Sequence, residues 1–277
     1  MFKNYLKLAW RSLFKNKVSS FINIAGLAVG LATGIIIMLV VADEFSYDRF
    51  HSNLREIYFV MKNQKQNGGI HTGRSTAGPL APALRHEMPE VKYAARVADA
   101  GDQLVRVGDK SIYESAMYTE PEFFNMMSFP AIEGNPVAAL QDGSSAVITE
   151  RAAKRLFGNE SPVGKTFVYD NSHVLKVAAV LQDVPANSSI QFDIAIPFRI
   201  FEAENPWLNK WDDNRIQTWA QLVPSASISA LNKKLTRLLQ TKSDDASVSL
   251  FMYPFKDMRL YGSFNNGKPS GGKIYMV

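Results

Sequence analysis

Phe21–Ala42 reads FINIAGLAVGLATGIIIMLVVA, 22 residues without a charge in which Asn23 and Thr33 are the notably polar side chains. As a helix rising ~1.5 Å per residue it spans roughly 33 Å, enough to cross the ~30 Å hydrocarbon layer of a bilayer. The alternative is a cleaved signal, with Val40–Ala42 as the small-residue site. Against it, the stretch exceeds the apolar core of a signal peptide, and 20 residues precede it. A retained anchor is therefore expected. Lys3, Lys7, Arg11, Lys15 and Lys17 come before it, whereas Asp43, Glu44 and Asp48 follow. The basic-residue bias predicts a cytoplasmic N-terminus and everything after residue 42 on the far side of the membrane.

Working outward, residues 2–17 carry Lys3, Lys7, Arg11 and Lys15 at every fourth position, with Phe2, Tyr5, Leu6, Ala9, Trp10, Leu13 and Phe14 between them. This pattern predicts an amphipathic helix lying in the headgroup boundary with its cations toward anionic lipid. A plain positive flank that only orients the span is the simpler alternative. Ser19 and Ser20 mark the expected bend into the span. Within the span, Gly26, Gly30 and Gly34 lie four apart. Small residues on one face let a second helix approach closely, although glycine is also common in membrane helices without such a role.

Of the 31 basic residues in the 277-residue chain, five lie in the first 42, which leaves 26 facing 26 acidic side chains. The larger part is thus neutral, which argues against nucleic acid as a partner, since phosphate-backbone binding needs clustered cations. With no cysteine there is no disulfide framework, thiolate metal site or cysteine nucleophile.

Beyond residue 42 short strands alternate with helices. β-Branched and aromatic content predicts strands at 57–62, 104–107, 146–149, 174–181, 190–196 and 218–223. Helices are predicted from Pro79 to Met88, after a Thr149 cap to Gly158, and from Ser227 with Ile228, Leu231, Leu235, Leu238 and Leu239 on one side. The expected fold is α+β with an antiparallel or mixed sheet. Residues 64–78, 141–145 and 261–272 read as polar loops.

No catalytic constellation emerges. His51, His71, His86 and His173 lack metal-ligand spacing and are expected on the surface or in loops. Gly262, Gly267 and Lys268 spell the opening of a phosphate-binding loop, but Pro269 removes the hydroxyl and N–H that such a loop needs. No catalytic, cofactor or metal residues are assigned.

The opening NYLKLAWRSLFKNK, then INIAGLAVG, DEFSYDRFH and IYFV, resembles the start of FtsX/MacB-like permeases of ABC transporters, particularly the long Bacteroidetes forms. GPLAPALRHEMPEV, PEFFNMMSFPAIEGNP, ITERAAKRLFG, SPVGKTF and VLQDVPANSSIQFD continue the likeness in order. The resemblance implies a cytoplasmic amphipathic helix over residues 1–20, a transmembrane helix over 21–42 and a periplasmic core domain over 43–277. That domain would be a porter-like mixed α/β unit with an inserted small subdomain. It also implies a non-catalytic permease subunit, or its N-terminal fragment, in the bacterial inner membrane. Such a subunit works with a cytoplasmic ABC ATPase, with further permease helices or a second permease half, and with membrane lipids. Further membrane helices would follow Gly271–Val277. A single-pass periplasmic sensing protein and a membrane-tethered hydrolase are the competing readings. A periplasm-dependent reporter enzyme fused after Val277 should be active; activity of a cytosol-dependent reporter there would reverse the topology.

Overall fold

The computed structural model describes residues 2–243 and 245–276, which fall into two compact units, residues 2–46 and Tyr47–Met276. The first unit is two helices, α1 (Phe2–Lys15) and α2 (Lys17–Ser46). The break falls at Asn16 rather than at Ser19 and Ser20, because the Asn16 carbonyl already accepts the Ser20 N–H at 2.9 Å and starts the second helix. α2 takes in all of Phe21–Ala42 and continues to Ser46. Among the described residues it is the one helix long and apolar enough to cross a membrane. A Cβ added at Gly26, Gly30 or Gly34 would meet nothing within 4 Å, so that face is open. On α1 the rings of Trp10 and Phe14 lie 5.4 Å apart. The side chains of Phe2, Leu6 and Ala9, expected on the apolar side, lie outside the described residues, as does Val277.

In chain order the second unit begins with β1 (Ile57–Gln66), β2 (Gly69–Gly73), β3 (Ser75–Ala77), α3 (Leu80–Glu87), β4 (Val91–Val107) and β5 (Lys110–Thr119). It continues with α4 (Glu122–Met126), β6 (Ala131–Gly134), α5 (Pro136–Asp142), β7 (Ser145–Thr149), α6 (Glu150–Phe157), β8 (Thr166–Tyr169) and β9 (His173–Leu181). It ends with β10 (Ile194–Pro197), α7 (Phe198–Glu204), β11 (Asn214–Leu222), α8 (Ile228–Lys242), β12 (Val248–Pro254), α9 (Phe255–Tyr261), β13 (Ser263–Asn265) and β14 (Lys268–Gly271). Twelve strands make one mixed sheet whose main path is β12-β1-β11-β4-β5-β10-β7-β9-β6. β10 runs parallel to β5 and β7 parallel to β9, while the other pairs are antiparallel.

Period-two alternation builds a core on both faces. In β1, Phe59 and Met61 join a cluster with Phe123, Phe129 and Phe255, whereas Val60 joins the leucines of α3 and α8 on the opposite face. α6 and α7 pack on a third cluster around Phe167, Tyr169 and Phe198. The predicted caps are present. Thr149 Oγ1 accepts the Ala152 N–H at 3.2 Å, Ser227 Oγ accepts the Ala230 N–H at 3.4 Å, and Gly158 ends α6 at φ +68°.

Two expected loops are hairpins. Residues 64–78 hold the end of β1 with β2 and β3, and 261–272 hold β13 and β14. Asn67-Gly68 and Asn266-Gly267 take paired positive φ values (46° and 81°; 50° and 79°), the signature of tight hairpin turns. Gly262–Lys268 is therefore hairpin and not a phosphate loop, with Lys268 opening β14. The strand expected at 190–196 starts only at Ile194.

Buried charge joins distant parts of the sheet. Glu120, just after β5, accepts from Arg96 of β4 (2.9 Å) and Arg85 of α3 (3.0 Å), and Arg96 continues to Glu202 of α7 at 2.5 Å. The Arg96 guanidinium also lies 4.3 Å over the Phe198 ring. Burial by itself would raise the Glu120 pKa, but the hydrogen bonds from Arg85 and the charge of Arg96 outweigh it and hold the carboxyl below its ordinary value. Arg155 of α6 pairs with the fully buried Glu114 side chain of β5 and, at 2.8 Å, with Asp193. Replacing Glu120 by Gln leaves two guanidinium groups short of their acceptor. It should lower unfolding free energy by about 2–4 kcal/mol in detergent-solubilised protein, read by denaturant melts; a change under about 0.5 kcal/mol would refute this role.

Candidate functional site

The residues that follow α2 enter the second unit through a joint of hydrogen bonds. Asp48 sits at φ +60°, a left-handed conformation that aspartate tolerates better than most residues. Its N–H donates to the Asn187 carbonyl at 2.9 Å, and its Oδ1 accepts the Ser189 N–H at 2.7 Å. The Asp48 carbonyl then accepts the His51 N–H at 3.1 Å, closing a turn. One residue earlier, the Arg259 guanidinium of α9 lies 3.5 Å over the Tyr47 ring.

His51 makes the second attachment. Its Nδ1 accepts the Ser128 N–H at 3.1 Å, while Ser52 N–H donates to Ser128 Oγ at 3.0 Å and the two serine hydroxyls meet at 2.9 Å. Asn53 Nδ2 donates to the Met126 carbonyl at 3.4 Å. The imidazole packs edge-on to Phe129, with centroids 5.1 Å apart, and lies 4.0 Å from Phe50 and 6.0 Å from Phe255. Three segments remote in sequence, 47–53, 126–129 and 187–190, thus meet at one place, with α9 closing the fourth side.

The electrostatics of the joint are those of a dry site. Burial pushes the Asp48 carboxyl above its ordinary range, and the Ser189 hydrogen bonds and the charge of Arg259 offset only part of that. Burial lowers the His51 pKa to about 4. Because Nδ1 accepts, the neutral ring carries its hydrogen on Nε2, which is buried without a hydrogen-bond partner among the described residues. His51 is 2% exposed, so the expectation of a surface or loop histidine is corrected here: its aromatic neighbours remove it from water.

A scan against family models matches residues 20–238 to the MacB-like periplasmic core domain. The chain belongs to that family. Among curated proteins, the MacB-like chain is 23% identical over 217 residues to the pyoverdine export ATP-binding/permease protein PvdT of Pseudomonas aeruginosa, which covers 73% of it. It is 27% identical over 225 residues to PvdT of Pseudomonas putida. It spans about a third of the length of these relatives, 32% in each case. Among solved structures, a permease-protein domain from Porphyromonas gingivalis matches with TM-score 0.64 and 24% identity, covering 79% of this chain and 95% of that one. The periplasmic region of MacB from Actinobacillus actinomycetemcomitans matches with TM-score 0.53 and 18% identity, covering 76% and 95%. These likenesses establish the fold of the second unit as that of MacB-type periplasmic domains.

In this MacB-like domain the remaining histidines stay apart. His71 is on β2, His86 is on α3, and His173 of β9 pairs with Glu204 at 2.7 Å. No group of three or more metal-ligand side chains gathers among the described residues. The sequence-predicted positions Lys3, Lys7, Trp10, Arg11, Lys15, Lys17, Gly26, Gly30 and Gly34 all lie in the first unit, on α1 and α2. The joint was missed because Asp48 and His51 carry no motif of their own. The signal that pointed to it was the set of quoted segments SYDRFH, NMMSFP and PANSSI, which the fold brings together.

The folded pKa of His51 lies below its unfolded value near 6.5, so the unfolded chain binds the extra proton between those two values. Stability contributed by the neutral ring is whole above pH 6.5 and is lost as pH falls toward 4. Asp48, raised, acts in the opposite sense as it protonates. Melts of His51→Gln against the parent should show about 3 kcal/mol less destabilisation between pH 7 and pH 4; parallel curves would exclude His51 as the titrating group.

Proposed function

We propose that this chain is the permease subunit of an ABC transporter, or the N-terminal part of one, and that it passes ATP-driven movement from a cytoplasmic ATPase to the periplasmic domain. In this reading α2 crosses the inner membrane with the N-terminus in the cytoplasm, and residues 43–277 are periplasmic. The chain itself is non-catalytic, with ATP hydrolysis in a separate subunit. Residues 1–20 lie along the cytoplasmic membrane surface, where Lys3, Lys7, Arg11, Lys15 and Lys17 meet anionic headgroups and Trp10 inserts at the interface. Gly26, Gly30 and Gly34 seat a sister helix of the same permease or of a second half.

The observation that carries the reading is the joint. A tether whose only duty was anchoring would be served by a slack linker. Here the second residue after α2 is locked by its N–H and its carboxylate to the 187–189 loop, and the fifth is locked to Ser128. The first attachment leads to the loop between β9 and β10 and the second to the segment between α4 and β6, so both sides of the second unit would take up a force applied at residues 47–53. The export of pyoverdine named for the Pseudomonas relatives gives the class of work, not the cargo.

Affinity purification of the full-length permease from its native host should recover an ABC ATPase. Replacing Gly26, Gly30 and Gly34 together by leucine should lower that recovery roughly ten-fold, because the added side chains hold the partner helix away. Unchanged recovery would refute the glycine seat, and absence of any ATPase with the unaltered protein would refute the transporter role.

A further inference from the structure

Beside the leucine cluster that α3 and α8 form with the sheet lies a cavity of about 250 Å³, wholly inside the second unit. Leu80, Leu239 and Leu250 belong to both the cluster and the cavity wall. Period two decides what else faces it. Along β1, Val60 joins the leucines, and Lys62 and Gln64 follow on the same face, where they line the cavity in place of apolar side chains. Lys62 is half-buried and stands opposite Leu250 of β12. Its ammonium makes no hydrogen bond or ion pair among the described residues. Burial lowers the Lys62 pKa, and the charge of Asp245 offsets only part of that. An ammonium so placed is short of a carboxylate.

Negative charge occupies another part of the wall. Asp245 lines the cavity beyond ion-pair distance of Lys62, and its Oδ1 is held by the Ser247 N–H at 2.9 Å. Asp212 lines it too, with a carboxylate that makes no pair among the described residues; only its backbone carbonyl is engaged, by Asn214 Nδ2 at 3.2 Å. Ser243, which caps the C-terminus of α8, is also on the wall and accepts the Asp245 N–H at 3.2 Å. The last carbonyls of α8 therefore add to the negative potential near Asp245, which favours a cation. Trp211 contributes an aromatic surface beside Leu80 and Leu239.

We propose that this cavity binds a free α-amino acid with an aliphatic side chain, its carboxylate on Lys62, its ammonium on Asp212, and its side chain against Leu80, Leu239 and Trp211. A cavity of this size falls below the ~300–1,000 Å³ of sites for drug-sized ligands, so the ligand is a small one. A simple carboxylate would satisfy Lys62 and gain nothing from Asp212, while a simple amine would leave the desolvated Lys62 unpaired and meet its repulsion. A zwitterion answers both charges at once. The proposal rests neither on the membrane crossing of α2 nor on a partner ATPase.

The full chain in detergent is titrated by isothermal calorimetry with leucine, with leucinamide, which lacks the carboxylate, and with isocaproate, which lacks the ammonium. Leucine should bind saturably below about 10 mM and roughly ten-fold more tightly than either analogue. Lys62→Gln should bring leucine down to the affinity of leucinamide without weakening leucinamide itself, and Lys62→Arg should restore part of the loss. Asp212→Asn should bring leucine down to the affinity of isocaproate. No saturable heat with leucine up to that concentration would overturn the proposal. Equal affinity for leucine and both analogues would do the same, and that comparison uses the unaltered chain alone. So would equal leucine binding by the parent and Lys62→Gln with melting temperatures matched. ATPase recovery should be the same with Lys62→Gln, which separates failure here from failure of the transporter reading.

Discussion

The hydrogen bond from the Asp48 N–H to the Asn187 carbonyl, with the return bond from the Ser189 N–H to the Asp48 carboxylate, seats the first residues of the second unit on that unit's own 187–189 loop. It fixes the polypeptide within two residues of the end of α2. The left-handed backbone at Asp48 and the buried carboxylate both cost free energy, and the structure around them offsets that cost with paired amides and a nearby guanidinium. His51 repeats the logic three residues on, a polar ring kept neutral in an aromatic setting so that it can accept one backbone N–H.

Behind these attachments the sheet is held together by charge as much as by apolar packing. Arg96 is bonded to Glu120 and Glu202 at once, so β4, the end of β5 and α7 share one buried network, and Arg155 ties α6 to β5 in the same way. Such networks contribute little net stability over apolar packing of equal volume, but breaking one partner is costly. They favour a single arrangement of the sheet.

Much of the fold was legible. The sites of β1, β7, β9 and β11 and all three predicted helices stand where β-branched content and capping residues put them. The strands that escaped notice have specific causes. β5, KSIYESAMYT, interrupts its apolar pattern with Glu114, which is buried only because Arg155 of a later helix reaches it. The first half of β4 is alanine-rich and gives little strand signal. The hairpins at 64–78 and 261–272 were hidden by polar composition, although each carries an Asn-Gly pair, the strongest local turn signal available.

By itself the sequence determined the long apolar helix, the basic segment before it, the neutral mixed α/β part after it and the family to which that part belongs. These are local or additive properties, readable from runs, periodicity and order of segments. Only the tertiary structure decided that Asp48, His51, Ser128 and Ser189 form one joint, that the dispersed carboxylates are paired, and that Lys62 and Asp212 share a cavity. Those facts depend on contacts between residues separated by 24 to 150 positions in the chain, and no periodicity records a contact of that range.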